Sequence, residues 1–225
     1  MESNKRKIKN LIFCNNEKDF RELLRSGLDP NFDGGWPIRM AARYGCATIV
    51  ETLLQFGANP HLLSASGAST LQLAVYSGEH WNTDKWTSLL SCCDSSQLAD
   101  GAAVAIIFDN VQALKKILST GRCNTNIPTT LTGKTLEVLA KGYKLTHLMN
   151  PSTIQNYNQH DTTSPRISRQ TNRMELDRAT ISPYQGHRNL SPSVARFFHQ
   201  TANQSCLSPS TGALLMSSPT SDANG

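Results

Sequence analysis

The sequence lacks a long hydrophobic run, and this absence bears on its relation to membranes. No stretch approaches the roughly 18 consecutive apolar residues of a membrane-spanning helix, so we expect no membrane span. The first residues, Met-Glu-Ser-Asn-Lys, include no apolar segment of the kind that a secretory signal peptide carries. We therefore expect a location in the cytoplasm, the nucleus or both.

Cysteine pairs at metal-binding spacing are also missing. The chain has six cysteines, but they form no Cys-x-x-Cys pair and no Cys/His ligand pattern. In a chain without a secretion signal such cysteines are expected to be reduced thiols, several of them in the core. We predict no metal site and no structural disulfide.

Catalytic motifs are absent as well. Gly133-Lys134-Thr135 is preceded by Pro128 where a phosphate-binding P-loop needs its first glycine. Neither a Gly-x-Ser-x-Gly nor a His-Glu-x-x-His sequence occurs. Three histidines, His61, His80 and His147, are scattered along the chain without a matching set of carboxylates. We expect no enzyme activity and no cofactor.

The charge of the chain is nearly balanced. Residues 1–150 hold 16 basic and 13 acidic residues, so a general nucleic-acid surface is not indicated. One basic run, Lys5-Arg6-Lys7 with Lys9, is compatible with a nuclear address or a phosphate contact. It is equally compatible with the solvated polar side of a terminal helix.

The sequence does contain an internal repeat. Residues 34–45 and 67–78 follow one pattern, in register and 33 residues apart, with glycines at both ends and an apolar, alanine-containing middle. A period of this length is typical of stacked structural units that expose an extended binding surface.

Each unit is predicted to contain two helices. In the central unit the first helix covers residues 37–44, ends at Gly45, and is followed by a second helix over residues 48–56. The sequence Gly57-Ala58-Asn59-Pro60 ends the second helix, and Gly27-Leu28-Asp29-Pro30 similarly ends a predicted helix over residues 17–26.

These features resemble the ankyrin repeat family, whose unit combines a glycine turn, a Thr-Pro-Leu-His-x-Ala first helix and a second helix ending in Gly-Ala-Asp/Asn-Pro. The resemblance implies an all-α ankyrin-repeat solenoid of about four to five helix-turn-helix units over residues 1–150. Weaker copies are predicted at residues 8–26, 102–118 and 133–149. In the third unit an insertion at residues 79–83 delays the second helix to about Asp84, with Trp86, Leu89 and Leu90 on its buried side.

The family's Thr and His, which brace the turn, are replaced here. Trp36 and Arg39 occupy their positions in the central unit, and Ser69 and Gln72 occupy them in the next. The expected internal brace is therefore altered in both units. Trp36 and Arg39 are compatible with a partner contact or with simple divergence of the repeat.

The resemblance implies a protein partner that contacts the finger turns and the inner first helices, where Arg39, Gln72 and their neighbours would face a concave groove. Carried over by position, the predicted contact residues are Phe32, Asp33, Trp36, Arg39, Arg43, Tyr44, Leu62, Leu63, Gln72 and Tyr76. Aromatic and arginine side chains dominate binding energy at interfaces, which favours Trp36, Arg43, Tyr44 and Tyr76. The alternative is structural: Trp36 packs between turns, and Tyr76 fills the gap left by the insertion.

Residues 151–225 form a different segment, rich in Ser, Thr, Pro and Asn and poor in apolar periodicity. Such a composition predicts a disordered tail. Its single marked apolar segment, residues 194–199, is compatible with docking on a partner or on the repeats. Five serines of the tail precede proline and are candidate phosphorylation sites: Ser164, Ser182, Ser191, Ser208 and Ser218.

The predicted function is a non-catalytic, monomeric adaptor or inhibitor that binds another protein on the concave face of the repeats. The alternative is a nuclear transcriptional co-regulator that docks on a DNA-bound factor. Nuclear accumulation that depends on Lys5, Arg6 and Lys7 would favour the alternative.

Overall fold

The computed structural model describes residues 2–149, and within that range it contains α-helices, one 3-10 helix and no strand. The all-α prediction is confirmed. The predicted tail, its apolar segment and its Ser-Pro sites lie outside the described residues. The helices are α1 (Glu2–Phe13), α2 (Glu17–Arg25), α3 (Phe32–Arg43), α4 (Ala47–Gln55), α5 (Thr70–Ser77), α6 (Thr87–Cys92), α7 (Ser95–Ile107), α8 (Val111–Ser119), α9 (Leu136–Gly142) and a 3-10 helix (Thr146–Met149).

The helices form two layers. The first helices of successive units, α1, α3, α5, α7 and α9, each pack on the next. Of the second helices, α2 packs on α4 and α4 packs on α6. The core between the layers is continuous along the described chain, as expected for stacked repeats.

Five units are marked by one recurring backbone feature. Each first helix is followed within two residues by a residue with positive φ: Asn15 (48°), Gly45 (71°), Gly78 (73°), Asp109 (60°) and Lys144 (60°). A positive φ reverses the chain at the end of a helix, and glycine adopts it at the least cost. Only two of the five positions are glycine, which explains why the outer units were harder to detect in the sequence.

The central unit agrees with its prediction to within about one residue. In α3 the residues Asp33, Gly34 and Gly35 have positive φ, so regular helix begins at Trp36 and places Pro37 in its first turn. Helix α4 starts one residue before the predicted position and ends one residue before it.

The third unit differs from the prediction because its insertion is packed by tryptophans. Trp81 and Trp86 are buried and stack with their ring centroids 5.6 Å apart. Trp81 donates from Nε1 to the carbonyl oxygen of Ala74 at 3.0 Å, and Trp86 donates from Nε1 to that of Glu79 at 2.8 Å. These bonds hold the insertion in turns, and α6 begins at Thr87 rather than near Asp84. Leu89 and Leu90 are buried as predicted.

The fourth unit begins earlier than predicted. Helix α7 starts at Ser95, seven residues before the predicted start at residue 102, and only Cys93 and Asp94 separate it from α6. Asp94 accepts hydrogen bonds from the backbone N–H groups of Ser96 and Gln97, and the Gln97 side chain accepts one from the Asp94 N–H. This capping box fixes the helix start and replaces the finger, the loop that joins a second helix to the next first helix.

Candidate functional site

The predicted contact residues of the fingers lie at accessible positions. The first finger carries Phe32 and Asp33, both half-buried. The second carries Leu62, half-buried, and Leu63, whose side chain is 55% exposed. Leu63 is a large apolar residue that lies exposed to solvent on a loop. Burial of such a side chain by a partner contributes favourably to the free energy of binding.

Arg39 is buried, contrary to the expectation that it lies open on the groove. It is only 4% exposed, and its Nη1 donates to the carbonyl oxygens of Gly34 at 2.6 Å and Leu62 at 3.2 Å. These carbonyls belong to two neighbouring fingers. The sequence predicted that the family's brace of the turn is altered in this unit. Arg39, which stands in place of the family's His, braces the turn with its own hydrogen bonds.

The next unit is braced by different atoms. Ser69 accepts a hydrogen bond on Oγ from the backbone N–H of Gln72 at 3.2 Å, and Gln72 accepts one on Oε1 from the N–H of Ser69 at 2.9 Å. This is a complete capping box. Gln72 is 1% exposed, so the groove-facing position predicted for its side chain is not open to solvent.

Trp36 lies at the start of α3 and is 7% exposed. The ammonium group of Lys5 in α1 lies 5.2 Å from the centroid of the Trp36 ring and forms an ion pair with Asp33 at 2.7 Å. Lys5 therefore covers Trp36 and joins the first helix layer to the first finger. The sequence analysis offered two roles for Trp36, and its buried position agrees with the structural one, packing within the stack. A partner contact by Trp36 stays a prediction.

Tyr44 is half-buried at the end of α3. The ring of Phe13, the last residue of α1, meets it edge-on at a centroid distance of 4.6 Å. Lys9, one helical turn before Phe13, lies with Nζ 5.2 Å from the centre of the Phe13 ring. Burial raises the pKa of the Tyr44 hydroxyl above its ordinary value, and the nearby Arg43 acts weakly in the opposite direction.

Arg43 connects this group to the following units. Its guanidinium carbon lies 4.4 Å from the centre of the Tyr76 ring, in a cation–π arrangement. Tyr76 in turn meets Phe108 edge-on at 4.9 Å. Tyr76 is 7% exposed and packs between Arg43 of α3 and Phe108 after α7. Trp81 and Trp86 pack the insertion, which the structural alternative had assigned to Tyr76.

These contacts form one set, which we call the aromatic–cation strip. It runs along the C-terminal ends of the first helices in four successive units. Its members are Lys9, Phe13, Arg43, Tyr44, Tyr76 and Phe108.

Sequence reasoning found three members of the strip and missed Lys9, Phe13 and Phe108. One signal was available in the sequence. Lys9 and Phe13 are four residues apart on one helix, so they share a face. Phe108 precedes Asp109, whose positive φ is not marked by a glycine, so no comparable signal in the sequence points to Phe108.

The described residues offer little for metal or membrane chemistry. Residues 2–149 contain no group of three or more side chains able to hold a metal ion. None of their helices combines the length and the apolarity that crossing a membrane requires.

Comparison with known proteins identifies the repeat. Residues 33–65 match the family model described as Ankyrin repeat. A stretch of 61 residues is 41% identical to palmitoyltransferase AKR1 of Lachancea kluyveri, which is 25% of this chain and 8% of that protein. The chain thus spans a small part of this relative, too little to carry over the activity of the transferase. Ankyrin repeats mediate protein–protein interaction and are typically non-catalytic.

Proposed function

We propose, on the premise that this is an ankyrin-repeat protein, that the chain is a non-catalytic adaptor or inhibitor that binds another protein. The bound surface is the face formed by the fingers and the first helices, which the family resemblance makes the concave face. The observation that carries the proposal is the row of first helices packed side by side, with the half-buried Phe13, Arg43 and Tyr44 at their C-terminal ends and the exposed Leu63 in a finger.

The distribution of exposed groups supports this face over the outer one. The first-helix face presents half-buried aromatic rings at Phe13 and Tyr44 and a half-buried arginine at Arg43. The second helix α4 presents polar residues instead: Thr48, Glu51 and Gln55. Aromatic and arginine side chains are enriched at the energetic centres of interfaces, whereas Glu and Ser are depleted there.

A photo-crosslinking experiment on the full chain tests the proposal. A photoreactive amino acid replaces Leu63 in the second finger or, as the matched control, Glu51 on α4; both positions are exposed. In cells, the Leu63 variant is expected to capture a defined protein that the Glu51 variant does not capture. Equal capture from both positions, or capture from Glu51 alone, would place the binding surface elsewhere.

A further inference from the structure

The aromatic–cation strip carries positive charge that no carboxylate among residues 2–149 neutralises. Among the side chains that the structure describes, neither Lys9 nor Arg43 has a carboxylate within ion-pair distance, and Arg43 Nη1 is buried without a hydrogen-bond partner. Other cations of the same units are paired: Lys5 with Asp33 at 2.7 Å and Arg21 with Glu17 at 2.7 Å. Lys18 and Arg25 on α2 likewise form no ion pair with a described residue, but Lys9 and Arg43 differ from them because each lies over an aromatic ring.

The guanidinium of Arg43 is held over the ring of Tyr76. Its stacking over the Tyr76 ring limits the motion of the guanidinium before any partner arrives. Nη1 is buried, so a partner carboxylate would accept charge-assisted hydrogen bonds from the other N–H groups of this half-buried side chain. The Tyr76 ring beside the guanidinium lowers the local polarity, which strengthens such a charge-assisted bond.

We propose that the strip binds an acidic segment of a partner protein. A Glu or Asp carboxylate of the segment accepts hydrogen bonds from Arg43, a further acidic residue lies near Lys9, and the apolar parts of the segment contact Phe13 and Tyr44. This inference rests on the function proposed above and adds the chemical class of the partner.

Charge complementarity favours an acidic protein segment over two other occupants. The chain's own residues 151–225 hold six arginines and four acidic residues, so the unmodified tail has the same sign of charge as the strip. A nucleic acid needs a wide field of basic residues to displace its counterions, whereas residues 1–150 are close to charge balance.

Peptide selection on the full chain tests the proposal. A display library of random peptides of about 12 residues is selected on the immobilised protein, and the recovered peptides are titrated in fluorescence polarisation. The test variant is Lys9→Gln with Arg43→Gln. The control variant is Lys18→Gln with Arg25→Gln, which removes the same charge from two exposed positions on α2.

We expect peptides enriched in Asp and Glu, with binding weakened about tenfold or more by the test variant and changed little by the control. Binding should also weaken as salt is raised. Because Arg43 packs on Tyr76, its replacement can disturb folding. The single variant Lys9→Gln alters an exposed side chain and should by itself weaken binding several-fold.

Four results would overturn the proposal. Acidic peptides that lose equal affinity in both variants would show that the strip is not their site. If the selected peptides are not acidic and the test variant abolishes their binding, the acidic partner is refuted while binding on this face is supported. Peptides insensitive to the test variant would refute the strip itself, and the crosslinking at Leu63 then decides the proposed function separately. If a synthetic phosphopeptide around Ser191, or a single-stranded oligonucleotide, displaced the acidic peptides and bound more tightly than they do, that molecule would be the better candidate ligand of the strip.

Discussion

Arg39 donates a hydrogen bond from Nη1 to the carbonyl oxygen of Leu62, 3.2 Å away, and this bond ties the first helix of one unit to the finger of the next. The same nitrogen donates to Gly34 in its own finger at 2.6 Å. One side chain therefore fixes the spacing of two neighbouring fingers. The fingers carry predicted contact residues, so the proposed binding would depend on their relative position.

Replacing Arg39 with Met should destabilise the protein by about 3 kcal/mol. The change keeps an apolar side chain of similar length but leaves two carbonyl oxygens without their charged donor, and each such bond contributes about 1.5–3 kcal/mol. Urea denaturation followed by circular dichroism measures the loss. Arg25→Met, at an exposed position on α2, is the control and should change stability by less than about 0.5 kcal/mol. Equal loss in both variants would refute the brace.

Trp36→Ala should destabilise the whole stack by about 3–5 kcal/mol, because it removes a large buried ring beneath Lys5 and opens a cavity. Trp36→Phe should recover much of that loss. The free energy of unfolding from urea titrations checks both variants. A stable Trp36→Ala protein that loses only partner binding would instead favour the direct contact predicted from the sequence.

The fold was predictable where glycine and proline mark the ends of helices. The central unit has Gly45 after its first helix and Gly57 after its second, and both helices lie within about one residue of prediction. In the fourth unit the residue with positive φ is Asp109 and not a glycine, so the sequence does not reveal the turn in the same way. The early start of α7 is signalled in the sequence by the capping box of Asp94 and Gln97, and the prediction overlooked this signal.

The candidate site was predictable in position but not in burial. The family pattern places Trp36, Arg39, Gln72 and Tyr76 on the inner helices, and all four are less than 10% exposed. A sequence pattern assigns a residue to a helix, whereas burial depends on what a neighbouring unit places against it. Lys5 from α1 covers Trp36, and this contact joins residues 31 positions apart.

Gly45→Ala should destabilise the protein more than Gly57→Ala, although both glycines have positive φ. Each substitution costs about 1–2 kcal/mol from the backbone conformation alone. At Gly45 a Cβ would also lie 2.5 Å from Cβ of Glu79, whereas at Gly57 no atom lies within 4 Å. Steric overlap of this kind adds about 1–3 kcal/mol. Thermal and urea unfolding of the two variants gives the comparison, and equal losses would contradict it.

The exposed cysteines should react with alkylating reagents faster than the buried ones. Burial raises the pKa of the Cys93 thiol to about 12 and that of Cys123 to about 11, from an ordinary value near 9. Cys14 and Cys92 are exposed. Alkylation at pH 8.5, resolved by peptide mass spectrometry, should therefore modify Cys14 and Cys92 rapidly and Cys93 at least about tenfold more slowly, since only the thiolate reacts.

The raised pKa of Cys93 also makes stability depend on pH. Between pH 9 and about 12 the unfolded thiol ionises while the folded one keeps its proton, so the unfolded state is favoured progressively as pH rises. The free energy of unfolding should fall by up to about 1.4 kcal/mol per pH unit from this group, and the loss is absent below pH 9. Cys93→Ala removes the ionising group and should flatten that part of the profile, as urea titrations at pH 8, 9 and 10 would show. An unchanged slope in Cys93→Ala would mean that other groups cause the dependence.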